Sequence, residues 1–214
     1  MTTTMLPTCD QQHEIQHDRR RLPNFCPTDA TWSATATRDA IDASLRTEKP
    51  TAFELSHVDV QRYGDTPAGR RRARAAALLV LALPGTLHFH EADRWELFGE
   101  AEGTRPPTGR LGSGQPTPDG TSLARLCRSA LVIRRSVGSA VVEWLPSPPG
   151  TLSFRRPGST TGINLTCTLN MGIEVVAVPR VGSPALASSY YGLRDNDLLL
   201  PPDTVVWSIR RHAG

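Results

Sequence analysis

GRRRARAAALLVLALPGTLHFHEADRWELFG, residues 69–99, is the stretch of this chain in which several independent local signals agree. Arginines stand at positions 70, 71, 72 and 74, and every residue from Ala75 to Leu83 is apolar. That run falls well short of the about 20 apolar residues that a bilayer-spanning helix needs. Ala and Leu are the strongest helix formers, so the segment from Ala73 to Leu83 is predicted to be a buried helix. Pro84 has no backbone N–H and Gly85 accepts the positive φ of a cap, which together stop it. Thr86 to His90 then alternates with period two, as a strand with two distinct faces does. Helix, sharp stop and strand make half of an α/β repeat.

Outward from this stretch the pattern continues. Thr31 to Leu45 reads as a helix in which Ile41 and Leu45, four apart, form a buried pair. Thr51 to Ser56 reads as a strand, although Glu54 is a poor choice where parallel strands are buried on both faces. On the other side, residues 99–122 are rich in Gly and Pro without periodicity, which is the composition of a linker or long exposed loop. Leu123 to Ser136 reads as a helix, with Leu123, Leu126, Ala130, Ile133 and Val137 on one stripe and Arg125, Arg128 and Arg135 off it. Five short runs follow: Ala140–Leu145, Thr151–Arg155, Asn164–Leu169, Glu174–Val178 and Thr204–Ile209. Turn sequences separate them, including a longer PRVGSP loop, at the spacing of a small antiparallel sandwich. Trp144, Phe154 and Trp207 are the expected anchors of a core belonging to that domain. Their rings could instead stack on sugars, but each sits inside a strand and not on a loop.

Composition narrows the function classes. The chain has 214 residues and a formal net charge of +3, from 24 basic and 21 acidic residues. A complete (β/α)₈ barrel takes about 250 residues, so a whole barrel plus a β-domain does not fit. The basic residues are nearly all arginine, with Lys49 the only lysine, and they are scattered, which argues against a nucleic-acid footprint. Cys9, Cys26, Cys127 and Cys167 are far apart with no CxxC pair, so neither a zinc site nor a disulfide framework is indicated. Residues 1–22 are polar and aperiodic, and are expected to be a disordered leader. Arg19 to Arg21 are followed by no apolar run of the kind an export signal requires. No segment is long and apolar enough for a membrane helix, no cofactor is implied, and the cytoplasm is the expected compartment.

The segment RARAAALLVLALPG, followed by a strand and an acidic turn, resembles the seventh helix and eighth strand of the barrel in bacterial α-glucosidases of the α-amylase clan. ATWSATATRDAIDASL (30–45) and AFELSHVDVQRYG (52–64) resemble the segments that precede them in that family. LARLCRSALVIRRS (123–136), VVEWLPSPPGTLSFRRPG (141–158) and LLLPPDTVVW (198–207) resemble its last barrel helix and C-terminal β-domain. The resemblance implies an α/β barrel remnant, about two βα units of a TIM-type barrel, followed by a small all-β antiparallel sandwich. Residues 23–98 would be the partial barrel, 99–122 the linker, 123–137 the last barrel helix and 138–211 the β-domain. It covers only the C-terminal portion of such an enzyme, so the chain is expected to be truncated and degenerate.

The same resemblance directs attention to the end of the first strand, where the family carries Asn-His-Asp to hold sugar hydroxyls and stabilise the transition state. This chain has Ser56-His57-Val58-Asp59, and a one-residue slip on extended backbone turns a side chain to the opposite face. His57 and Asp59 are therefore either a degenerate remnant facing a sugar cleft or ordinary surface residues of a turn. His88 and His90 share a strand face, and with Glu91 and His57 they could gather around a divalent metal. No fixed spacing supplies a fourth ligand, and drifted residues at a strand end explain them equally well. The arginine run from Gly69 to Arg74 is expected to be the solvated start of a helix, with a phosphate contact as the other reading.

A retaining glycosidase needs a nucleophilic carboxylate and a general acid about 5 Å apart. The family carries these after its fourth and fifth strands, to which nothing here corresponds, so no catalytic residue and no hydrolysis are expected from the chain alone. The rival expectation is a non-catalytic module in which the β-domain binds carbohydrate or an enzyme. Oligosaccharide or a second copy of the chain are the partners considered. Self-association would follow if a wide Ala/Leu helix surface and the strand edges stayed in water.

Overall fold

The computed structural model describes residues 32–46, 52–55, 66–89, 122–138, 141–158 and 162–211. Helix α1 spans Ala34–Leu45 and is followed by strand β1, Ala52–Leu55. Helix α2, Pro67–Ala82, leads to strand β2, Thr86–Phe89, and helix α3 spans Leu123–Val137. The β-domain contains β3 (Glu143–Trp144), β4 (Thr151–Arg156), β5 (Ile163–Asn170), β6 (Val176–Pro179), β7 (Ser183–Ala187), β8 (Gly192–Arg194), β9 (Asp197–Leu200) and β10 (Thr204–Arg211).

Strands β1 and β2 pair in parallel, Ala52 opposite Thr86 through Leu55 opposite Phe89, so β1–α2–β2 is the expected βαβ unit. Among the described residues there is no closed barrel; these two strands make one sheet of two. The antiparallel part divides into a five-stranded sheet, β3-β4-β5-β10-β7, and a three-stranded sheet, β6-β9-β8. Strands β5 and β10 pair over their whole length, from Thr204 opposite Asn170 to Arg211 opposite Ile163. The register between β10 and β7 shifts at Trp207 and Ser208. Gly182, which leads into β7, makes that edge possible: its φ is +89°, and a Cβ there would lie 2.6 Å from the Ile209 carbonyl oxygen. Glycine alone meets both conditions without strain.

Helix α2 starts earlier than the apolar run suggests. Thr66 is its N-cap, with the side chain accepting from Gly69 N–H at 3.0 Å, and Pro67 opens the first turn. Thr or Ser before a proline at the first helical position is a recognised start signal. The helix ends as expected, although Leu83, in extended conformation, is the C-cap and Gly85 carries its positive φ of 113° two residues later.

The core bears out one expectation and corrects another. Ala73 and every residue from Ala75 to Leu83 are buried, as a buried helix requires, so the Ala/Leu surface does not stay in water. The reason is that the C-terminal half of α2, from Ala75 onward, is apolar all round, and the helix lies between α3 and the five-stranded sheet, packing against both. Secondly, Phe154 and Trp207 are fully buried, but in a cluster that also holds Ile41, Leu78, Leu81, Leu126 and Ala130, so the hydrophobic core runs across residue 138. Alternation along β10 separates two cores: Val205 and Trp207 face the helices, whereas Val206 joins Val178, Leu198 and Leu200 beneath the three-stranded sheet. Among the described residues, that second, smaller cluster alone is built of β-domain residues without the helices. No helix among the described residues is long and apolar enough to cross a membrane.

Candidate functional site

The parallel register brings the C-terminal ends of β1 and β2 side by side, Leu55 next to Phe89. In α/β folds, ligands bind beyond the carboxyl ends of parallel strands, where the connecting loops are free to carry chemistry. In sequence, His57 and Asp59 follow the end of β1, and His90 and Glu91 follow the end of β2. All four lie outside the described residues. His88 is inside β2, its Cα paired with that of Glu54. Among the described residues, no group of three or more His, Cys, Asp or Glu side chains could hold a metal.

The polar chemistry that is described concentrates on α2, and it corrects the reading of the arginine run as a solvated helix start. Arg70 is exposed, but Arg74 is buried and donates from Nε to the Ser188 carbonyl at 2.6 Å. Arg72 Nε lies 3.0 Å from Oδ1 of Asp203, whose side chain is buried. The same guanidinium stands 5.9 Å from the centroid of the Trp32 ring, within range of a cation–π attraction. Asp203 sits in the turn between β9 and β10 with φ of 56°, a left-handed conformation that Asp tolerates better than most residues. Two arginines of α2 therefore reach into the β-domain, a role their local sequence does not disclose.

The other end of α2 poses a harder problem. The last carbonyls of a helix have no partner within it, and the usual remedy takes N–H groups from the residues just past the cap. Here the first of those is Pro84, which has none. Arg134 of α3 supplies the missing donors: its guanidinium bonds the carbonyls of Leu81, at 2.8 Å, and of Leu83 and Gly85. Arg156 of β4 donates to the Ala82 carbonyl at 3.0 Å. Cationic groups at this end also meet the negative end of the helix dipole. Burial lowers the pKa of Arg134, and it lowers that of Arg156 to about 10, with the nearby charge of Arg134 as the second cause. Both directions reflect the cost of holding two guanidinium groups out of water.

Trp144, the third aromatic expected as a core anchor, is half-buried and packs against the shared cluster. It meets Phe154 edge-on at 5.6 Å with an interplanar angle of 75°, and its indole N–H donates to Asp42 at 2.7 Å. The Arg38 guanidinium stands 4.8 Å from the Trp144 ring centroid, so the ring engages α1. Cys127 and Cys167 are both buried thiols outside any disulfide, and burial pushes the Cys167 thiol above its usual range.

No family model matches the chain, and no curated protein does. Solved structures of similar fold include Amy13B of Eubacterium rectale, at TM-score 0.59 and 13% identity, over 90% of this chain and 48% of that one. An isomaltulose synthase from Erwinia rhapontici, in complex with D-glucose, matches at TM-score 0.55 and 14% identity, over 82% of this chain and 46% of that one. An alpha-amylase from H. orenii matches at TM-score 0.51 and 14% identity, over 85% and 46%. These are α-amylase-family glycoside hydrolases, and this chain spans about half their length. At such identities the likeness is one of fold.

Proposed function

We propose that these residues form the C-terminal βα segment and β-domain of an α-amylase-clan glycosidase fold, and that the chain by itself hydrolyses no glycoside. In this reading β1 and β2 are adjacent strands of a barrel, α3 is its last helix, and residues from 138 to 211 make the sandwich-like β-domain. One observation carries it: a parallel βαβ unit continues through α3 into an antiparallel β-domain on a shared core, and the whole matches about half of several such enzymes. The absence of hydrolysis rests on chemistry. Retaining hydrolysis requires two carboxyl groups about 5 Å apart, and the resemblance gives neither role to a residue in these segments. His57 and Asp59, beyond the end of β1, would at most hold sugar hydroxyls.

The test is direct. Purified chain, freed of host glucosidase, is assayed with p-nitrophenyl α-glucoside and with maltose. No release above buffer is expected, because the resemblance assigns the nucleophile of the covalent step to no residue of these segments. Turnover that persists through purification and disappears in Asp59→Asn would overturn this reading.

A further inference from the structure

We infer that Arg134 and Arg156 act as a clamp through which α3 and the β-domain hold the parallel β1–β2 pair in order. Three observations lead there. The corner between α2 and β2 presents the carbonyls of Leu81, Ala82, Leu83 and Gly85 as acceptors, and Pro84 removes the local donor that would normally satisfy part of them. The guanidinium donors that meet these carbonyls come from outside the βαβ unit, Arg134 from α3 and Arg156 from β4. And β2 begins at Thr86, one residue after the clamped Gly85, so fixing that carbonyl fixes where the strand starts.

A four-residue parallel pair has little of its own to keep it ordered. The clamp supplies a fixed starting point. Arg134 reaches three carbonyls across the turn, and Arg156 ties the last turn of α2 to a strand of the five-stranded sheet. Both are positioning residues, acting through the α2–β2 corner. The order of strand β2 is thus tied to α3 and the β-domain through this corner.

Native-state amide exchange on the full chain, followed residue by residue, tests this. In Arg156→Met, which keeps much of the buried stem and removes the donors, amides of Thr86 to Phe89 should exchange on the order of tenfold faster, the effect of one unsatisfied buried carbonyl. Amides of β5 and β10 should stay within about twofold of wild type, since their ladder does not use this side chain. Arg134→Met should give the same local pattern. If either variant does not fold, Arg156→Lys and Arg134→Lys carry the same comparison, because one ammonium cannot reproduce the guanidinium fork. Equal acceleration in β2, β5 and β10 would mean that the arginines contribute only to global stability, and unchanged exchange in β2 would mean that they do not hold it. Either result overturns the inference.

Discussion

Replacing Phe154 by alanine tests whether helices and sheet share one core. Phe154 lies on β4, is fully buried, and sits in the cluster that joins the five-stranded sheet to α2 and α3, with the Trp144 ring against its edge. Truncating a fully buried Phe to Ala costs about 3–5 kcal/mol, the lost transfer energy plus the cavity left behind. The edge-to-face pair accounts for about 1 kcal/mol of that loss. With a urea m-value of about 2.5 kcal/mol/M, a loss of about 4 kcal/mol moves the unfolding midpoint down by about 1.6 M. The assay is urea titration followed by two probes: far-ultraviolet circular dichroism, which reports on the helices, and the fluorescence of the chain's four tryptophans, of which Trp32, Trp144 and Trp207 lie in or against the shared core. One transition is expected from both probes, displaced by the same amount. If the fluorescence midpoint moves while the helical signal stays at its wild-type midpoint, the helices do not depend on the sheet and the shared core is wrong. A total loss under about 1 kcal/mol would equally refute the packing from which the range was taken.

Three further outcomes follow from named contacts. Asp203→Asn and Arg72→Met should each cost about 1–3 kcal/mol, and the double variant less than their sum, because both remove one pair; strict additivity in urea titration would show that the pair is not coupled. Thr66→Ala should cost about 1 kcal/mol by removing the cap on Gly69 N–H, whereas an unchanged midpoint would place the start of α2 elsewhere. Because burial raises the Cys167 thiol above its ordinary range, the unfolded state loses that proton first. Stability from this group is complete below the unfolded thiol pKa of about 8.5 and declines as pH rises above it, so Cys167→Ala should show a shallower alkaline decline than wild type, and identical slopes would contradict the burial.

The parts of the fold that were legible in the sequence are those decided locally. Ala75 to Leu83 followed by Pro84 and Gly85 specifies a helix and its stop within a dozen residues, and both occur there. Strands β4, β5 and β10 carry β-branched and aromatic residues at alternating positions and were found within a residue or two of their ends. By contrast, β7 (SPALA), β8 (GLR) and β9 (DLLL) are short runs containing Pro, Gly or Asp, and the first begins inside what reads as a loop. Pairing with neighbours makes them strands, and pairing is not a local property. Buried charge was illegible for the same reason. Arg74 bonds Ser188, 114 residues away, and Arg156 bonds Ala82, 74 residues away. On its own each reads as an ordinary surface arginine, and only the fold reveals the carbonyl it meets. Of the candidate site, the parallel order of the two strands was legible through the βαβ pattern; His57, Asp59, His90 and Glu91 lie outside the described residues.

The choice of residue at the α2–β2 corner follows from the helix that precedes it. A helix segment apolar on every side must be covered on every side, and the C-terminal half of α2 achieves this by lying between α3 and the sheet, with Ala75 to Leu83 buried. That burial extends to its C-terminal turn, where water would otherwise satisfy the orphan carbonyls. Covering the apolar surface therefore creates the polar problem, and Pro84 makes it worse by withholding a donor. The remedy comes from the same elements that provide the cover: Arg134 of α3 and Arg156 of β4 are on those elements. A planar guanidinium has five donors in a fixed fork and is less strongly hydrated than an ammonium. It can bond the carbonyls of Leu81, Leu83 and Gly85 together from one side chain, whereas a lysine at 134 would bring a compact charge with a larger desolvation cost to a site that needs several directed donors.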